Sequence, residues 1–118
     1  MIEKTLISYL TNQTSAGDNV FAERPEDIPE KYILIQKTGS STSDMIMTST
    51  IAIQSIVDSM QGGRLLDAMD LNEDVKEVMA DLIESDDIVM VELDSDYNFT
   101  DDSTKEYRYQ AVYQITHY

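Results

Sequence analysis

Hydrophobic and polar residues change rhythm several times along this chain, and each change marks an element. Ile2, Leu6, Tyr9 and Leu10 recur at helical spacing, which predicts a short amphipathic helix lying across a sheet and ending before the Thr11-Asn-Gln-Thr-Ser-Ala-Gly17 turn cluster. Val20-Phe-Ala-Glu23 predicts a short strand. Pro25 and Pro29, with fixed φ and no backbone donor, make Arg24 to Glu30 a loop. Lys31 to Thr38 is a nearly unbroken apolar run with β-branched and aromatic residues, the pattern of a central strand covered on both faces. Gly39 to Met47 runs from small polar residues into Met45-Ile-Met47 with a period of neither 2 nor 3.6, so it is expected to be a mobile loop.

The next strand is Thr50 to Val57, with Ile51, Ile53 and Val57 on one face, and the Gly62-Gly63 pair ends it. From Arg64 to Glu84 the positions Leu65, Met69, Val75, Val78, Met79, Leu82 and Ile83 form a helical stripe. The capping-box spacing of Asp70 and Glu73 would start this helix at Asp70, after a turn over Leu65 to Met69. Ile88 to Leu93 and Lys105 to Tyr118 then read as the arms of a long hairpin. In the second arm Tyr107, Tyr109, Ala111, Tyr113 and Ile115 share one face, and Glu106, Arg108, Gln110, Gln114 and Thr116 share the other. One face packs and the other is wet. The sum is an α+β protein, a single domain over 1–118. It has a mainly antiparallel sheet of about five strands, two helices on one face and a long C-terminal β-hairpin.

Charge narrows the function classes. Twenty-three Asp and Glu against eight Lys and Arg leave a net charge of −15 over 118 residues, which repels phosphate and argues against nucleic-acid binding as the main task. With no cysteine there is no disulfide framework, thiolate metal site or thiol nucleophile. The first ten residues lack the basic and apolar regions of a signal peptide, and no stretch approaches the roughly 20 apolar residues of a membrane span. The expectation is a protein made and used in a cytoplasm, with no membrane partner.

Candidate chemistry is sparse. Asp94, Asp96 and Asn98 occupy the first ligand positions of a calcium-binding EF-hand loop, but Phe99 stands where the turn needs glycine and Lys105 where a bidentate Glu should close the site. A solvated hairpin loop is the better reading. His117, the only histidine, is expected to be exposed at a strand end, and Ser40 to Ser43 have no base nearby in sequence. Carboxylate pairs are too plentiful in so acidic a chain to be diagnostic. The expectation is a protein that is not an enzyme and uses no metal or cofactor. Five of the seven tyrosines lie between Tyr97 and Tyr118; these aromatics are core or cross-strand pairs in one reading and an interface in the other. Met45-Ile-Met47 either folds onto its own sheet or offers an adaptable apolar contact to another chain.

Four stretches in succession carry a resemblance. They are Val20-Phe-Ala-Glu-Arg-Pro25 leading to Tyr32-Ile-Leu-Ile-Gln-Lys-Thr-Gly39, then Thr50-Ile-Ala-Ile-Gln-Ser55, then Leu71-Asn-Glu-Asp-Val-Lys76, and last Asp96-Tyr-Asn-Phe99 leading to Glu106-Tyr-Arg-Tyr-Gln-Ala-Val-Tyr113. In order and spacing they resemble the tail terminator, or tail-to-head joining, proteins of long-tailed bacteriophages. The resemblance implies a structural virion protein without catalytic residues. Such a protein assembles as a hexameric ring on the end of the tail tube, stops tube polymerisation and joins the tail to the head connector, or stopper, protein. It would be assembled in the host cytoplasm and sit at the head–tail junction of the virion. A ring of six would carry roughly −90, so DNA would pass through its lumen without specific binding. By that analogy Gly39, Ser40, Asp44, Met45, Ile46 and Met47 in one loop, and Tyr97, Phe99, Asp101 and Asp102 in the other, are the candidate contacts with ring, tube or connector. Two alternatives stand beside it. One is an acidic binding module, a DNA mimic or an inhibitor of a host nucleic-acid protein, suggested by the charge. The other is a related head-completion protein at the same junction.

Overall fold

The computed structural model describes Met1–Tyr118. In chain order the elements are α1 (Ile2–Leu10), β1 (Val20–Phe21), β2 (Lys31–Ser43), β3 (Ile46–Asp58), α2 (Leu65–Met79), β4 (Ile88–Asn98) and β5 (Glu106–His117), with short 3₁₀ turns at Ser59–Gln61 and Leu82–Glu84. The strands form one sheet in the order β1-β2-β3-β5-β4, antiparallel except for the two-residue parallel pairing of β1 with β2. No helix is long and apolar enough to cross a membrane.

The alternation of side chains along each strand decides which face is covered. Ile33 and Ile35 of β2, Ile51 and Ile53 of β3, and Ala111, Tyr113 and Ile115 of β5 share one face. There they merge with Ile2, Leu6 and Leu10 of α1 and Leu71, Val75 and Met79 of α2 into a single buried core. Both helices therefore lie on one face of an α+β domain. On the opposite face only a corner is apolar, where Tyr32, Leu34 and Ile56 are covered by Phe21 and Ile28.

Three boundaries differ from the sequence expectation. Gly39 to Met47 is not a loop. β2 runs to Ser43, β3 begins at Ile46, and their ladder closes on the pair Ser43 and Ile46. Asp44 and Met45, with φ of 50° and 70°, form a two-residue turn with left-handed φ at both central positions, the type whose twist matches the right-handed twist of the flanking strands. The strand was invisible to periodicity because every residue from Gln36 to Met45 is exposed, so burial imposes no alternation. Second, α2 starts at Leu65 rather than Asp70: the Arg64 N–H donates to the Asp67 carboxylate at 3.0 Å, which satisfies one free donor of the first turn. Third, β4 extends through Asn98, so Asp94 to Tyr97 are strand residues and only Phe99 to Lys105 connect the arms.

Gly63 shows how tightly α2 is docked. A Cβ built there would lie 2.0 Å from a Val57 methyl and 2.9 Å from the Asp58 carbonyl oxygen. Gly63→Ala is expected to cost about 1–3 kcal/mol through overpacking, read as a lower urea midpoint at unchanged slope; an unchanged midpoint would show that the α2 entry yields freely.

Candidate functional site: two ends, an open face and an acidic flank

Register places the two sets of candidate contacts at opposite ends of the molecule. Met47 pairs with His117 at one end of the β3–β5 ladder, and Asp58 pairs with Glu106 at the other. The twelve residues of β5 separate these ends by roughly 37 Å at the usual rise per residue, within a molecule of 47 × 26 × 24 Å. Gly39, Ser40, Asp44, Met45, Ile46 and Met47 therefore belong to one end and Tyr97, Phe99, Asp101 and Asp102 to the other.

At the first end, Met45 is 88% exposed at the hairpin tip. Its positive φ is a conformation a side chain other than glycine or asparagine rarely takes. Gly39 to Ser43 continue as an exposed strand whose outer edge has no partner, since β1 pairs only with Ile33 and Leu34. Ile46 and Met47 are half-buried, and Met47 lines a cleft of about 350 Å³ with Ile2, Ile88 and His117. So Met45 reaches outward while Met47 folds onto its own sheet. His117 is not exposed: at 6% accessibility its Nε2 lies 2.9 Å from the Ser49 hydroxyl and its Nδ1 3.1 Å from the Tyr118 backbone oxygen. The cause is position, because the end of β5 is flanked by both β3 and β4.

Toward the second end, Tyr97 and Phe99 meet edge to face with ring centroids 6.0 Å apart and remain 40% and 46% exposed; Met60, in the turn after β3, is exposed as well. Asp101 accepts from the Ser103 N–H and hydroxyl, which holds its carboxyl below the usual range. The calcium-like spacing does not converge on a cation. Asp96 turns toward α2, where it accepts from Asn72 and Lys76 at 2.9 Å each. Asp94 accepts from Gln114 on the other face. The bulge between Leu93 and Ser95 separates them. No cluster of three or more His, Asp or Glu side chains arranged to hold a metal ion is present.

The helix-free face is the feature that sequence reading missed. It was expected to be wet, yet Gln54, Glu106 and Gln110 on it are 4–8% exposed. They are buried by one another. Gln54 donates to Gln110 at 2.9 Å, Gln110 donates to the Tyr97 hydroxyl at 2.6 Å, and Arg108 donates to Gln54 at 3.0 Å. Farther along, Thr50 donates to Gln114, and Thr48 is bonded to Thr116. At one end Glu106 accepts from Tyr32 and Arg24 at 2.6 Å each and from Arg108 at 2.9 Å. Burial pushes the Glu106 carboxyl up, but these three donors outweigh it and hold the group below the usual carboxylate range. Burial and the same carboxylate raise the Tyr32 phenol far above its ordinary value. The alternating polar residues of β3 and β5 were a signal for this ladder, but only register shows which of them meet.

The acidity is also unevenly placed. Twelve Asp and Glu and the single Lys76 lie between Leu71 and Asp102, a local charge of −11 out of the whole −15. This segment comprises most of α2 and all of the edge strand β4. On the core side of the same flank, burial pushes the Tyr113 phenol up to about 12.

What these features define is an elongated α+β domain with exposed apolar side chains at both ends and along the α2–β4 flank, and with an interlocked polar face on its sheet. Compared with known proteins, the chain matches no family model and no curated protein sequence.

Proposed function

We propose that this protein is a structural virion component that caps the end of a phage tail tube as a hexameric ring, ends tube polymerisation and joins the tail to the head connector. The observation that carries this reading is the separation of its exposed apolar residues. Met45 stands beyond one end of the β3–β5 ladder and Met60 beyond the other, the ends lying roughly 37 Å apart, with Tyr97 opposite Gln110, four residues in from the second end. A joining protein must bind two different bodies at once, and a subunit with a contact surface at each end meets that need. The unpaired outer edge of β2 from Gly39 to Ser43 suits lateral contact with a neighbour, because exposed backbone donors and acceptors are readily completed by another chain. The resemblance of the four sequence stretches supplies the particular role.

The test is light scattering after size-exclusion chromatography, with and without purified tail tubes. Rings on tube ends are the expected result, and a protein that stays monomeric and leaves tube ends bare would overturn the reading. Ser41→Glu with Met45→Asp is expected to abolish assembly while changing stability by less than about 0.5 kcal/mol, since both side chains are solvated in the monomer. Retained assembly in that variant would remove the β2–β3 hairpin from the interface.

A second reading, an acidic module that binds basic host proteins, is favoured by the −11 of the α2–β4 segment. Its binding would be salt-sensitive, and recovery of no host protein in a low-salt pull-down would end it. A neighbouring head-completion role is separated from capping by imaging where the protein sits in the particle.

A further inference from the structure

The flank formed by α2 and β4 combines three observations. First, Met79, Ala80, Ile83, Val91, Leu93 and Tyr113, with Lys76 at one side, line a mostly apolar groove of about 360 Å³. Ile83 and Leu93 are 45% and 41% exposed, so part of the lining faces water. Second, β4 is the last strand of the sheet, and its ladder with β5 is interrupted between Ile88 and Met90 and again between Leu93 and Ser95. Bulges of this kind twist an edge and hinder strand addition. Third, the groove lies in the segment that holds −11 of the total charge. Its only cation is already engaged: the Lys76 amine is 2.9 Å from both Glu73 and Asp96.

We propose that this groove docks an amphipathic helix from a different, basic protein. The partner's aliphatic or aromatic side chains enter between α2 and β4, and its Lys and Arg residues meet the surrounding carboxylates. Charge decides against a second copy of this chain, which brings −15 of its own and four of whose eight Lys and Arg are already paired with carboxylates. Arg24 and Arg108 are held by Glu106, and Lys37 is paired with Glu3. The interrupted edge decides for a helix laid in the groove over a strand added to β4. Charge alone would attract any polycation, but it does not call for an exposed aliphatic lining within so acidic a segment; that lining is what gives the surface selectivity. The inference goes beyond capping and does not depend on it, because it concerns a surface of the single subunit.

The probe is a fluorescent synthetic peptide of Leu, Lys and Arg patterned as an amphipathic helix, compared with a peptide of equal charge in which Ser replaces every Leu. Anisotropy titrations at physiological salt are expected to give at least about tenfold tighter binding of the Leu peptide. Ile83→Asp with Leu93→Asp is expected to erase that difference. These changes add negative charge, so a purely electrostatic attraction would strengthen and not weaken. Leu66→Asp, at another exposed site on α2, is expected to leave binding unchanged and controls for nonspecific effects, with circular dichroism checking the fold of each variant. Equal binding of the two peptides, or wild-type binding by the double variant, would overturn the proposal. So would a concentration-dependent dimer that the double variant abolishes, since the occupant would then be a second copy. Ring formation on tail tubes by the same variants reads the capping proposal separately.

Discussion

Glu106→Ala is expected to destabilise the protein by about 3–5 kcal/mol, the range for removing one partner from a buried charged pair. The side chain is only 4% exposed, and its loss strands several donors at once. The Tyr32 hydroxyl lies on a residue with no exposure, and the Arg108 guanidinium has a buried Nε without any partner even in the intact protein. Arg24, which carries the loop between β1 and β2 onto the start of β5, is released as well. Urea unfolding at neutral pH is the measurement, and a loss of less than about 1 kcal/mol would mean that the arginines reach water and the cluster relaxes without cost. The effect has a pH signature. The folded-state carboxyl is held below its ordinary value, so its stabilisation is fully present above the unfolded-state pKa of about 4.3. It is lost as pH falls through the folded-state value. Accordingly, the stability difference between the wild type and Glu106→Gln is expected to shrink as pH is lowered below about 4.3 and to be constant between neutral pH and mildly acidic conditions. A difference that grew on acidification would assign the effect to another group.

Ile53→Ala is expected to cost about 2–5 kcal/mol, the transfer free energy of the lost methyl groups plus that of the cavity left behind. Ile53 is fully buried at the centre of the sheet, with Ile35 opposite it on β2 and Ala111 opposite it on β5. Ala111 is too small to fill the space, and Ile35 is held by its own strand under the helices. The cost should therefore fall in the upper part of the range, with an unchanged denaturant slope marking a folded state of the same extent. A loss below about 1 kcal/mol would show that α1 or α2 settles onto the sheet when the side chain is shortened.

The two variants bear on opposite faces of one sheet, and those faces were unequally legible beforehand. The helix side was readable because burial imposes a period. Ile51 and Ile53 in β3, and Ala111, Tyr113 and Ile115 in β5, had to alternate to reach the core, and they do. Leu6 and Leu10, like Val75 and Met79, repeat at helical spacing for the same reason. The other face alternates equally well in sequence, but its residues are polar, and a polar face predicts water. The side chains of Gln54, Glu106 and Gln110 escape water by bonding sideways to their neighbours, and a lateral bond between residues more than fifty positions apart leaves no local trace. His117 was misplaced for a related reason. A penultimate residue is usually free, but here Met47 of β3 and Ile88 of β4 pair with His117 from either side.

The hairpin tip shows the limit in another form. From Gly39 to Ser43 nothing is buried, so no period exists to be read, and the turn at Asp44 and Met45 lacks the glycine or asparagine that marks such turns in sequence. Pairing with β3, itself fixed by the buried Ile51 and Ile53 farther down the strand, carries the ladder out to Ser43 and Ile46. The amino-acid sequence by itself determined the strand side of the core, the α+β class, the placement of both helices on one face and the long C-terminal hairpin, because each follows from local spacing or from burial. Over α2 and the turn after it, the helical stripe takes the exposed Met69 and Ile83 for core and passes over the buried Ala68 and Leu71. Only the tertiary structure decided that the two candidate contact regions lie at opposite ends, that Asp94 and Asp96 point to different faces, and that an apolar groove opens within the acidic flank. Those facts depend on strand order, register and bulges, which are set by contacts between residues far apart in the chain.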